Sequence, residues 1–100
     1  MVQSHDDERF EREMGCTAAE LIDWLPGASG ARPLALAGAS AEVALEPGRL
    51  RLEWQPLPER RIGLIVLPRL RVQFHFEGTG PEARQRFMRH FDLYTQRGGG

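Results

Sequence analysis

From Leu50 to Phe76 the even positions keep one apolar register: Leu50, Leu52 and Trp54, then Ile62, Leu64, Val66, Leu70, Val72, Phe74 and Phe76. The odd positions of the same stretch are mostly polar, with Arg49, Arg51, Glu53, Gln55, Arg61, Arg69, Arg71, Gln73, His75 and Glu77. Side chains alternate across a strand with period two, so the pattern predicts antiparallel strands with one buried face and one face left for solvent or a partner. Glu46-Pro47-Gly48-Arg49 predicts a hairpin turn of type II, because Pro presets φ and Gly accepts a positive φ. Pro56 and Pro58 cannot donate to a ladder and predict a loop or an edge. Residues 62–67 and 70–77 are then expected to pair as a hairpin about Pro68-Arg69, at the centre of the domain.

Upstream, residues 34–37 and the alternating Ala41, Val43 and Leu45 predict two short strands, or one strand with a bend, around Gly38-Ala39-Ser40. Thr17-Ala18-Ala19-Glu20 is a capping-box pattern, and a helix should follow to about Leu25, where Pro26-Gly27 ends it. Residues 1–15 are polar and acidic, with Phe10 and Met14 their large apolar groups after the initial Met, and are expected to be a flexible segment. Thr79-Gly80-Pro81-Glu82 predicts a second helix reaching about Thr95, with Ala83, Phe87, Met88, Phe91 and Tyr94 at helical spacing toward the even face of the sheet. The expected architecture is α+β: a two-layer sandwich, α-β(4–5)-α, with an antiparallel meander sheet and terminal helices packed on one face. A single domain over residues 16–97 would lie between the acidic segment 1–15 and a flexible glycine tail, 98–100.

The chain has 100 residues, 41% hydrophobic and 27% charged, enough for one core and typical of a globular domain. Its net charge of −1 conceals a division. Residues 1–25 hold seven acids against Arg9 and Arg12, whereas residues 26–76 hold seven arginines against Glu42, Glu46, Glu53 and Glu59. All 13 basic residues are Arg, which, with the Ala, Gly and Pro content, fits the codon usage of a GC-rich bacterial genome. No apolar run is long enough to cross a bilayer, the N-terminus carries His5, Asp6, Asp7 and Glu8 where a signal peptide needs an apolar stretch, and the single Cys16 fits a reducing compartment. A cytoplasmic protein with no membrane partner is expected.

Candidate chemistry is sparse. Cys16 stands just ahead of the Thr17 cap, where helix amides would favour a thiolate, but none of His5, His75 and His90 falls in a cysteine-hydrolase context. A small buried residue is the plainer reading of Cys16. The scattered histidines and the acidic run Asp6-Asp7-Glu8 give no metal-ligand spacing. No catalytic residue, metal site or cofactor is expected. Trp24 and Trp54 fall at core positions. The odd face is more informative: Arg49, Arg51, Arg69, Arg71 and His75 surround Ile65 and Leu67, so the strand over 62–67 is apolar on both sides and calls for cover on both. An apolar centre with an arginine rim matches the anatomy of a protein interface. The expected function is a non-enzymatic binding or assembly module, a homodimer or the partner of another chain, unless the first helix or residues 1–15 fold across that face and neutralise its arginines. An anion- or nucleic-acid-binding domain using the same arginines is the alternative, although His75 is the sole aromatic ring there for base stacking.

The end Gly98-Gly99-Gly100 resembles, over its last three or four residues, the Gly-Gly terminus of ubiquitin-like sulfur carriers. That resemblance implies a terminal carboxylate activated by adenylation to accept sulfur. Those carriers place a helix between strands, whereas no helix is expected to interrupt the strands here.

Overall fold

The computed structural model describes residues 8–99, with side chains as far as residue 96. The element order is β1 (Arg9–Met14), α1 (Ala18–Ala28), β2 (Leu34–Ala37), β3 (Ser40–Ala44), β4 (Arg49–Ile62), β5 (Ile65–Glu77) and α2 (Pro81–Gly99). Five antiparallel strands form one sheet in the order β1-β5-β4-β3-β2, and the two helices cover one face of it. The expected two-layer α+β architecture is present, with five strands.

The even register builds the core. Leu50, Leu52 and Trp54 of β4 and Leu70, Val72, Phe74 and Phe76 of β5 are buried against Leu21, Leu25 and Ala28 of α1 and Phe87, Met88 and Phe91 of α2. Phe74 meets Phe91 edge-on with centroids 5.5 Å apart, and Phe76 meets Phe87 likewise at 6.0 Å. Such pairs add about 0.5–1.5 kcal/mol beyond the area they bury, so the middle of α2 is fixed on β5 by geometry as well as by hydrophobicity. Trp24 is half-buried at the margin of this core rather than inside it.

Several local expectations differ from the structure. Residues 9–14, within the segment expected to be flexible, form the edge strand β1; residues 1–7 lie outside the described residues. Phe10, Arg12 and Met14 alternate inward in β1, and the inward Arg12 obscures the pattern. Its guanidinium lies over the rings of Phe10 and Phe74 and pairs with Asp92 of α2, so a charged residue occupies a core-facing position with its charge satisfied. With β1 in place, α1 does stand between two strands.

Helix α1 continues through Pro26 to Ala28. The Thr17–Glu20 capping box forms as expected, with bonds of 2.9 and 3.1 Å. The missing Pro26 amide removes one helical bond near the C-terminus, while buried Leu25 and Ala28 hold the last turn down. At the start of α2, Thr79 does not cap. Its hydroxyl donates to the Pro47 carbonyl at 2.8 Å and ties the helix to the β3–β4 turn. That turn closes around Gly48 at φ +94°, where a Cβ would collide with the Glu77 carbonyl and the Thr79 hydroxyl. Helix α2 runs beyond Thr95 to Gly99, so Gly98 and Gly99 are helical; Gly100 lies outside the described residues.

The largest difference lies in the hairpin. Strand β4 does not break at Pro56-Pro58, and the reversal falls at Gly63-Leu64 rather than Pro68-Arg69. Gly63 adopts φ +59°, which a two-residue hairpin turn of the primed type requires. The Trp54 amide donates to Ala39, so the even positions of this part of β4 turn their backbone toward β3. Pro56, next in that series, lies beyond the end of β3 and leaves no ladder bond unmade.

Candidate interaction surface

The face of the sheet away from the helices is ordered in rows across the strands. One row runs Arg9, His75, Arg51, Glu42, and the next runs Glu11, Gln73, Glu53, Ser40. Gln55 then stands opposite Arg71, Leu57 opposite Arg69, Arg60 opposite Leu67, and Ile62 opposite Ile65. Arg49, Arg51, Ile65, Leu67, Arg69, Arg71 and His75 therefore do share one face, as expected, but they do not form one patch.

The arginines separate into two groups, each joined to carboxylates. Arg49 donates to Glu77 at 2.6 Å and to Glu42 at 3.1 Å, with Arg51 and His75 at 3.8 and 3.6 Å from Glu77. Arg69 grips both oxygens of Glu13, at 2.8 and 3.0 Å, and also donates to the Pro58 carbonyl, while Arg71 lies 3.8 Å from Glu11. The Arg69 hydrogen bond holds the Glu13 carboxyl below its ordinary range, and the Arg49 hydrogen bond does the same for Glu77. Glu11 and Glu13 thus neutralise part of the arginine set from the neighbouring strand β1. Six arginines (9, 49, 51, 60, 69 and 71) meet five glutamates (11, 13, 42, 53 and 77) on this face, so its field is close to balanced. A shallow cavity of about 600 Å³ lies at its centre, bounded by Arg9, Glu11, Arg51, Glu53, His75 and Glu77.

Past these rows β4 and β5 continue alone. Strand β1 ends at Met14 opposite Leu70, and β3 ends at Ser40 opposite Glu53, so residues 57–69 form a two-stranded arm. A register shift between Leu57 and Arg60 inserts an extra residue into β4 and reverses its parity. Ile62, expected on the buried face with Leu64 and Val66, consequently faces the same way as Ile65. Ile62 and Ile65 are 56% and 57% exposed, Leu64 at the apex is fully exposed, and Val66 and Leu67 are exposed too. The strand expected to be central and covered on both faces is instead the end of a projecting arm. Ile62, Leu64 and Val66 were missed as surface residues; the signal for them was the pair Gly63-Leu64 between apolar flanks, a two-residue turn pattern that competes with Pro68-Arg69.

Other candidates resolve differently. Cys16 is 1% exposed, and burial, with Glu20 adding to it, pushes its thiol up to about 11, opposite to an activated nucleophile. His90 Nε2 lies 2.9 Å from the Gly27 carbonyl and joins the two helices. Among the described residues no cluster of three or more His, Cys, Asp or Glu side chains could hold a metal ion, and no helix is long and apolar enough to cross a membrane. Compared with known proteins, the chain matches no family model and no curated relative.

Proposed function

We propose that this chain is a non-enzymatic binding and assembly module that self-associates as a homodimer through the second face of its sheet and the arm that extends it. The observation carrying this reading is the concentration of apolar surface. Five of the eight exposed large hydrophobic side chains among the described residues, Ile62, Leu64, Ile65, Val66 and Leu67, belong to one arm. An isolated two-stranded ribbon is at best marginally stable in water, and one with apolar groups on both faces gains most when something covers it. Around that apolar end lie Arg60, Arg61 and Arg69, and beyond them the ion-paired rows, an apolar centre beside a polar margin. The single buried thiol is compatible with a reducing, cytoplasmic setting.

The anion- or nucleic-acid-binding reading has less support, since most of its arginines already face carboxylates and the face offers no stacking platform. Light scattering separates the two. Dimers at micromolar concentration, dissociating in Ile65→Asp with Leu67→Asp while circular dichroism shows the fold retained, are the expected result. A strict monomer at high micromolar concentration, retained on heparin at low salt, would overturn the assembly reading.

A further inference from the structure

We infer that the two copies stack sheet on sheet about a twofold axis that runs along the arm between β4 and β5. This inference rests on the assembly reading above and adds which axis relates the copies and which residues meet.

The prolines direct the contact to a face rather than an edge. Pro56 occupies a β4 position whose backbone points outward past the end of β3. On the other edge the Phe76 amide donates to the Glu8 carbonyl, so even positions of β5 turn toward β1, and Pro68 is the one just past the end of β1. Both edges of the arm thus carry a residue without an N–H where an added strand would need one, which disfavours edge pairing.

The rows select the axis. Most closed oligomers are cyclic, and an isologous interface repeats each contact twice. A twofold along the arm lays β4 over the partner's β5 and β3 over the partner's β1. Ile62 then faces the partner's Ile65, Arg60 the partner's Leu67, Leu57 the aliphatic stem of the partner's Arg69, Arg49 the partner's Glu77, and Arg9 the partner's Glu42. A twofold running across the arm through the Arg60–Leu67 row would instead set Arg60 on its own copy, a like-charge contact. The arm alone is too small for a stable interface. With the sheet rows included, strands about 4.8 Å apart and rows about 6.7 Å apart give a footprint on the order of 700 Å², close to the roughly 800 Å² per partner of a standard interface. Stacked sheets lie about 10 Å apart and within about 30° of alignment, a gap that Arg and Glu side chains span. The apolar end supplies affinity and the charged rows fix register.

Arg9 and Glu42 provide the test, because β5 and β4 separate them within one chain by three strand spacings, about 14 Å. Sedimentation equilibrium of the full chain is measured for the wild type, Arg9→Glu, Glu42→Arg and the double variant, with each melting temperature confirming folding. Each single reversal is expected to weaken the dimer about tenfold, and the double reversal to restore it to within about threefold. A wild-type dimer in which the singles have no effect, or the double is no better than the singles, overturns this geometry and leaves the assembly reading standing. A monomeric wild type overturns both, and sedimentation with anionic lipid vesicles or retention on heparin would then assign the face to that occupant.

Discussion

The body of the sheet and the arm are built from the same two strands, yet they are stabilised in different ways. In the body, Leu50, Leu52, Phe74 and Phe76 are buried under two helices and flanked by β1 and β3. Twenty ångströms or so farther along, at about 3.3 Å per residue, the same strands leave their apolar side chains exposed and, among the described residues, have no strand on either edge. The apolar content scarcely changes between the two. What changes is cover, and an apolar strand without cover is surface offered to a partner rather than core.

The contrast is sharpest for truncation. Phe74→Ala removes a ring packed against Phe10 and Phe91, and chemical denaturation should show a loss of about 3–5 kcal/mol. Leu64→Ala in a dilute sample should stay within about 0.5 kcal/mol of wild type, because the apex side chain is fully exposed. A large loss at Leu64 would mean that the arm folds back on the body. Next in size is Gly48→Ala at the β3–β4 turn, expected to cost about 1–3 kcal/mol from the positive φ, with further loss from the collision with Glu77 and Thr79. Gly63→Ala at the apex shares a positive φ but meets no neighbour, so its cost should be the smaller of the two.

Titration gives a finer division. Cys16 in the body is held neutral by burial, with a thiol raised from 9.0 to about 11. A raised acid contributes fully below its unfolded value and loses that contribution as pH climbs through the folded one, so stability should fall between about pH 9 and 11, and Cys16→Ala should flatten that limb. Thiol labelling at neutral pH should likewise be slower than for a free peptide thiol. At the root of the arm the sign is opposite. Glu13 is depressed by Arg69, so its contribution is present above the ordinary value of 4.5 and is lost as pH falls through the lower folded value. Glu13→Gln should remove that acid-sensitive component, a small effect for an exposed pair, seen best as earlier exchange of the β1 amides.

The body was the readable part of the sequence. Period-two alternation, the Thr17–Glu20 capping box and the 3.6-residue spacing of Phe87, Met88 and Phe91 all place residues where the structure has them, since each reports a local periodicity matched to a buried face. The arm was harder to read, because its character depends on where the neighbouring strands stop. Pro56 is a breaker in a central strand but harmless on an outward edge, and that edge exists only because β3 ends at Ser40 opposite Glu53. The bulge after Leu57 then moves Ile62 to the other face, a shift that no alternation pattern reveals. Strand β1 was obscured for a related reason: Arg12 faces the core, and the rings of Phe10 and Phe74 with the carboxylate of Asp92 make that position acceptable.

Amide hydrogen exchange across residues 60–67, followed over a concentration series, tests most directly whether the arm is covered by a second copy. Rapid exchange in dilute solution that slows progressively with concentration, and slows no longer in Ile65→Asp with Leu67→Asp, is the expected result. Exchange at one rate at every concentration would contradict it.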